Sequence, residues 1–266
     1  MGVTLAGFIA LACAAVLVGF SKTAISGTAT VAIVLFAMVL PTRESTGVLL
    51  VILMVGDVLA TWTYRRHVEW SLIRRLILPV LAGIVVGAFF LAFAPVALLK
   101  PVIGGIVVVM SGIQAVRMWS AARAARAARA APGAGESAAV DTGPVARAGH
   151  AGSGAIFGSL AGFTTMVANA GGPVMTLYLL RSNLEVTRFV GTLAWFFASV
   201  NLTKLPISIG LGLVRPQRLL LCLALVPAVV VGAVLGRWLI SRISRSLFEK
   251  VVLVVAGLSG LYLMVS

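Results

Sequence analysis

Apolar residues run along the chain in ten stretches, separated by short polar, glycine-rich or basic intervals. Several of these stretches approach the roughly 20 residues that an α-helix needs to cross a bilayer. The pattern therefore predicts an all-α polytopic membrane protein. The ten predicted segments are 5–19, 29–40, 47–63, 76–94, 101–119, 154–168, 174–180, 189–214, 219–240 and 248–266.

Two interruptions of the apolar pattern are alike. Residues 19–30 read GFSKTAISGTAT, and residues 162–173 read GFTTMVANAGGP. The apolar segment after each of them, 29–40 or 174–180, is too short to cross a bilayer comfortably. Short, Gly/Pro-interrupted segments at matching positions in two halves are typical of the substrate site of a secondary transporter. The pattern favours a transporter whose binding site lies at these two interruptions.

The second half of the chain repeats the plan of the first. An offset of 143 residues superposes the two interruptions and also brings Asp57 near Asn201. Because each half has five segments, an odd number, the halves must cross the membrane in opposite directions, as in inverted-repeat transporters. We predict a first transmembrane repeat over 1–119 and a second over 153–266. The first two segments of each repeat are short and broken near mid-membrane.

Residues 120–152, between the repeats, lack any apolar periodicity. The run AARAARAAR is followed there by a stretch rich in Gly, Ala and Pro. This composition is typical of a linker, and we expect the arginine run to continue the fifth helix briefly into the headgroup region.

The composition agrees with a membrane protein and narrows its chemistry. Hydrophobic residues make up 61% of the 266 residues and charged residues 11%, so the apolar runs exceed what one soluble core buries. The net charge of +14 does not indicate a nucleic-acid partner, because the basic residues lie between apolar runs and form no recognised motif. Cys13 and Cys222 lie inside apolar segments without metal-ligand spacing. We predict neither a metal nor another cofactor.

The basic residues predict the orientation of the chain. When the loops are assigned alternately to the two sides of the membrane, fifteen of the 21 lysines and arginines fall on one side. That excess marks the cytoplasmic face. We therefore expect a cytoplasmic linker and both termini on the outer side. The four basic residues of the outer side are Arg43, Lys100, Arg215 and Arg218, and the remaining two, Lys22 and Lys204, are assigned to the membrane itself.

Polar side chains at membrane depth are costly, and here they concentrate in the two interruptions and in the segments 47–63 and 189–214. Two lysines exceed one aspartate, and the helices expected to start near Thr28 and at Pro173 would direct their N-termini at mid-membrane. Both features favour an anion site. The candidate substrate-binding residues are Ser21, Lys22, Thr23, Ser26, Gly27, Thr164, Thr165, Asn169, Gly171, Gly172, Asn201 and Lys204, with Asp57 as the candidate for coupling.

Several of these residues have structural alternatives. Asp57 is equally expected to neutralise Lys22 or Lys204 in a structural ion pair. The hydroxyl residues of the interruptions can serve only to cap broken helix ends. Glycines at four-residue spacing are predicted to pack helices together rather than to bind a ligand. These glycines are Gly83, Gly87, Gly232 and Gly236.

The stretch GFTTMVANAGGPVMTLYLL, within two tandem repeats that each open with a broken segment, resembles the sulfite exporter TauE/SafE family of membrane transporters. The resemblance covers nearly the whole chain outside the linker. It implies export or exchange of a sulfur-containing anion, such as sulfite, sulfoacetate or another organosulfonate. It also implies a multi-pass protein of the bacterial inner membrane, where both termini are then periplasmic.

The leading interpretation is a secondary transporter that works by alternating access around an anion site between the repeats. The sequence has no GxxxxGK[ST] motif for nucleotide hydrolysis and no HExxH or GxSxG motif of an enzyme. A passive anion channel and a transporter of a non-sulfur organic anion are the alternatives. The partners are a small anion and the lipid bilayer, and the sequence leaves a homo-oligomer open.

Overall fold

The computed structural model describes residues 3–23, 29–130, 150–179, 182 and 184–239. The regular elements within these ranges are helices. They are α1 (Leu5–Thr23), α2 (Ala29–Val39), α3 (Thr42–Tyr64), α4 (Trp70–Phe93), α5 (Val96–Ala130), α6 (His150–Ala168), α7 (Gly171–Leu179), α8 (Val186–Gly210), a 3₁₀-helix (Pro216–Arg218) and α9 (Leu219–Leu239).

Helix length and composition identify a membrane protein. Four segments of the described chain are long and apolar enough to cross a bilayer, namely α1, α3, α4 and Pro216–Trp238, which holds most of α9. By contrast, α2 has 11 residues and α7 has nine, so neither can cross alone. The prediction of an all-α polytopic membrane protein is confirmed. The ten-segment repeat layout remains a prediction, and its last segment, 248–266, lies outside the described residues.

The first interruption begins later than predicted. Helix α1 continues through Gly19 to Thr23, because the residues after Gly19 include neither proline nor glycine until the helix ends. Thr23 Oγ1 lies 3.2 Å from the carbonyl of Gly19 within the last turn. Lys22 therefore lies on a helix rather than in a loop. Residues 24–28, including the candidates Ser26 and Gly27, lie outside the described residues.

The second interruption is shorter than predicted. Helix α6 continues through Gly162 to Ala168, and α7 begins at Gly171, two residues before the start predicted at Pro173. Asn169 adopts the left-handed conformation, with a φ of 54°, and a residue in this conformation commonly ends a helix. The break is therefore a two-residue turn between helices.

Helix α5 continues into the region predicted as linker, as expected of the arginine run. It runs to Ala130, past residue 119 where the linker was expected to begin, because alanine and arginine are among the strongest helix formers. Residues 131–149 of the linker lie outside the described ranges. The division into 1–119, 120–152 and 153–266 stays a prediction, and we call 1–119 and 153–266 the first and second halves.

The long helices of the two halves pack against each other reciprocally. Helix α1 lies along α9, α4 lies along α6, and α3 crosses α8. The first of two hydrophobic clusters gathers α1, α2 and α3 with α9 of the second half. The other gathers α6, α7 and α8 with α4 of the first half. Both clusters therefore contain residues from the two halves.

Glycines allow the backbones of these helices to approach each other closely. A Cβ atom at Gly19 would collide with the backbone of Val229 on α9, and one at Gly162 would collide with the backbone of Val80 on α4. Gly19 and Gly162 occupy equivalent positions under the 143-residue offset. The spaced glycines meet the facing helices in the same way, which confirms their packing role. Gly83 faces Ser159, Gly87 faces Met166, Gly232 faces Val16 and Gly236 faces Thr23.

These contacts predict that Gly19→Ala and Gly162→Ala each lower the free energy of unfolding by about 1–3 kcal/mol, because the added methyl group overpacks a backbone contact. Thermal unfolding of the purified protein in detergent measures the effect. Gly112→Ala is the matched control, since no described atom lies within 4 Å of a Cβ added there; it should be neutral or slightly stabilising. Equal behaviour of the three variants would contradict the packing assignment.

Candidate membrane-embedded anion site

Helices α3 and α8 cross in opposite directions at the centre of the protein. Near the start of α3, Gly47 lies against the backbone of Leu213, which follows α8. At the crossing, Asn201 Nδ2 donates to Asp57 Oδ2 at 2.6 Å. Beyond the end of α3, the Glu69 backbone N–H donates to Thr192 Oγ1 of α8 at 2.9 Å. The residues matched by the sequence offset, Asp57 and Asn201, therefore touch each other.

Asp57 is paired with Lys22 and not with Lys204. Lys22 Nζ donates to Asp57 Oδ1 at 2.5 Å, and Asp57 is only 2% exposed. The lysine stem reaches α3 over Gly56, where a Cβ atom would lie 2.9 Å from Lys22 Cγ. Lys22 Nζ also lies 4.7 Å from the ring centroid of Phe197, a favourable cation–π distance. The structure thus selects one of the two pairings that the sequence left open.

Lys204 is held by a different set of acceptors. Its Nζ donates to the Thr165 carbonyl at 2.6 Å, to Thr165 Oγ1 at 3.2 Å and to Asn169 Oδ1 at 2.7 Å. Asn169 Nδ2 in turn donates to the Thr46 carbonyl of α3 at 3.1 Å. The three N–H groups of an ammonium are used in this way. Lys204 therefore stabilises the C-terminal end of α6, where a positive charge is favourable.

A cavity of about 40 Å³ lies between these clusters, and we call it the central cavity. Its apolar walls come mainly from α2, α3 and α8, with Ile33, Leu53 and Phe197 among them. The first residues of α2 (Ala29 and Thr30) and the turn that opens α7 also line it, so two helix N-termini meet there. Its polar lining residues are Ser21, Lys22, Thr30, Thr165, Asn169 and Asn201.

The structure brings six of the sequence candidates together around the central cavity. They are Ser21, Lys22, Thr165, Asn169, Gly172 and Asn201.

Four other candidates are not among the lining residues. Thr23 Oγ1 donates to Ala233 of α9 at 3.0 Å, and Thr164 Oγ1 donates to Leu160 within α6 at 2.7 Å. A Cβ atom at Gly171 would lie 2.9 Å from Thr165 Cβ, so this glycine permits the tight turn before α7. Lys204 lies behind the lining residues, because its donors are taken up by Thr165 and Asn169. The hydroxyl groups of Thr23 and Thr164 therefore bond to helix carbonyls.

Sequence reasoning missed three contributors. Thr30 lies in the first interruption but was not singled out. Phe197 lies in an apolar segment whose other aromatic residues are indistinguishable from it by pattern. Thr46 contributes only its backbone carbonyl. Every residue carries such a carbonyl, so no sequence pattern reveals which one takes part.

A bundle of apolar helices with two short helices that direct their N-termini at a central, partly charged cavity is the architecture of a membrane transport protein. The chain belongs to the sulfite exporter TauE/SafE family, whose family model matches residues 11–263. The resemblance seen in the sequence is thereby confirmed over nearly the whole chain. No curated protein and no solved structure matches the chain.

The Lys22–Asp57 geometry predicts strong coupling in a double-mutant cycle. Lys22→Met and Asp57→Leu should each lower the free energy of unfolding by about 3–5 kcal/mol, because each leaves a buried charge without its partner. The double variant should lose much less than the sum. Thermal unfolding in detergent provides the measurement.

A matched control for this cycle is the exposed pair Arg188–Glu69, whose charged atoms lie 3.6 Å apart. Its coupling energy should be about 0–1 kcal/mol. Additive effects of Lys22→Met and Asp57→Leu would show that the two groups do not depend on each other.

Proposed function

We propose that the protein is a secondary transporter that exports a small sulfur-containing anion, such as sulfite, sulfoacetate or another organosulfonate. The substrate binds in the central cavity, which lies between the two halves. The observation that carries the proposal is the meeting of two helix N-termini and Lys22 at this one cavity. The family supports transport as the general activity and argues against an enzyme.

The electrostatics of the cavity favour an anion. Free backbone N–H groups and the positive dipole ends of α2 and α7 attract negative charge. Lys22 uses one N–H on Asp57 and retains others for a ligand. Lys204 adds a positive charge directly behind Thr165 and Asn169. The same groups would repel a cation.

The size of the cavity favours a small ion. A buried water needs a cavity volume of roughly 10–15 Å³. The central cavity, at about 40 Å³, therefore holds roughly three waters or an ion with a few non-hydrogen atoms. Sulfite fits this description better than a long organosulfonate does.

Two ion pairs at matching places between the halves support alternating access. Glu44, near the start of α3, pairs with Arg218, just before α9, at 2.8 Å. Arg188, near the start of α8, lies 3.6 Å from Glu69, just before α4. Each pair joins the third helix of one half to the loop before the fourth helix of the other. Opening one pair while the other stays closed exposes the cavity to one side at a time.

The proposed membrane is the bacterial inner membrane, with the linker in the cytoplasm and both termini in the periplasm. The asymmetric distribution of lysine and arginine supports this orientation. In this orientation the Glu44–Arg218 contact lies at the periplasmic end of the protein and the Arg188–Glu69 contact at the cytoplasmic end.

Proteoliposomes provide the test of this function. We expect purified protein to take up radiolabelled sulfite in preference to sulfoacetate, and to accumulate it against its concentration gradient when a pH gradient is imposed. Lys22→Met should weaken sulfite binding roughly 10- to 150-fold, because an ionic hydrogen bond is lost. Movement only down the gradient would instead identify a passive channel, and preferential uptake of carboxylates would identify a non-sulfur organic anion as the substrate.

Asp57 is proposed to carry the coupling proton, because it is a carboxylate at membrane depth beside the cavity. Its pairing with Lys22 must loosen for it to accept a proton, and a change of access can loosen it. Asp57→Asn should retain substrate binding but transport independently of a pH gradient, because the amide cannot titrate. Glu185→Gln, at an exposed carboxylate just before α8, is the control and should keep the dependence. An unchanged pH response in Asp57→Asn would assign Asp57 a structural role only.

A further inference from the structure

The hydrogen bonds around Asp57 fix the orientation of the side-chain amide of Asn201. Its Nδ2 lies 2.6 Å from Asp57 Oδ2, and the other oxygen of the same carboxylate accepts from Lys22. An ionised carboxylate only accepts hydrogen bonds, so the NH₂ group of Asn201 must face Asp57. The amide oxygen of Asn201 is then directed away from the carboxylate.

That amide oxygen is left without a partner. Asn201 is 1% exposed, and Oδ1 accepts no hydrogen bond from any described residue. Asn201 is also one of the residues that line the central cavity. Buried polar atoms are nearly always satisfied, and an unpaired one is costly. The bound substrate is the natural source of the missing donor.

The charges around the cavity point to the same conclusion. Among the described residues, the charged groups that line it or bond to its lining are Lys22, Lys204 and Asp57. Two positive charges and one negative charge leave an excess of one positive charge. A monoanion neutralises this excess, whereas the second charge of a dianion has only the partial positive charges of the two helix N-termini to balance it, which compensate less well than an ion pair.

We infer that the central cavity selects a monoanion that carries its own O–H or N–H donor, which Asn201 Oδ1 accepts. The inference rests on the proposed function. For sulfite it means that hydrogensulfite, rather than the fully deprotonated dianion, is the bound species. Among organic substrates it disfavours dianions such as sulfoacetate and small sulfonates without a donor.

A pair of ions with the same charge and nearly the same shape tests the inference without changing the pH. Sulfamate and methanesulfonate are both monoanions with three sulfonate oxygens, but sulfamate has an NH₂ group where methanesulfonate has a methyl group. A buried site built for a hydrogen bond rejects an analogue that lacks it. We expect the purified protein to bind sulfamate at least about 10-fold more tightly than methanesulfonate in isothermal titration calorimetry.

Asn201→Leu should abolish this preference, because leucine has a similar size but no acceptor. The variant also loses the hydrogen bond to Asp57, but this loss affects the binding of both sulfamate and methanesulfonate. The ratio of the two affinities therefore reports only on the missing acceptor, Asn201 Oδ1. Thr203→Val is the control and should keep the ratio, because Thr203 lies on the same helix but is exposed and does not line the cavity. Loss of the preference in Thr203→Val as well would contradict the assignment of the acceptor to Asn201.

The outcomes separate this inference from the proposed function. If wild-type protein binds both ions equally, the inference is wrong and a bound water satisfies Asn201, while anion transport stands. If it binds neither sulfonate nor sulfite, the proposed function itself fails. Since the wild-type comparison needs no variant, the inference can be tested even if Asn201→Leu does not fold.

Discussion

A buried carboxylate, the lysine that neutralises it and the amide that donates to it hold the centre of this protein together. Asp57 accepts hydrogen bonds from Lys22 at 2.5 Å and from Asn201 at 2.6 Å. An unpaired charge at this depth is strongly unfavourable, so the end of α1 and the crossing of α3 with α8 are fixed relative to one another. Because α1 and α3 belong to the first half and α8 to the second, this cluster also joins the halves.

In the corresponding cluster of the second half, the positive charge lies on a different helix. There the cation, Lys204, lies on the third helix of the half, and its acceptors, Thr165 and Asn169, lie at the end of the first. Thr165 stands at the position equivalent to Lys22. The side chains at these positions, which the predicted repeat makes equivalent, therefore differ, and the cavity has two chemically different walls. Such walls can orient an anion that has one distinct end.

Close packing of glycine-bearing helices holds the helices around this cluster together. Lipid supplies no hydrophobic force between helices, so they associate through van der Waals contact, which small residues permit. Gly19 illustrates why this role is hard to predict, because a glycine in a polar stretch reads equally well as a helix breaker. Only the proximity of Val229 on α9 shows that Gly19 serves packing inside a continuous helix.

The sequence by itself determined the membrane class, the approximate positions of the two interruptions and the charged candidates, because run length and the high cost of a charge in lipid are local properties. It could not determine which lysine neutralises Asp57, since Lys22 and Lys204 both lie at membrane depth. Nor could it identify the carbonyl of Thr46 or the ring of Phe197 as parts of the site. Those choices depend on how α1 and α6 pack against α3 and α8. Contacts between residues far apart in the chain exist only once the helices have assembled, and for that reason the tertiary structure alone decided them.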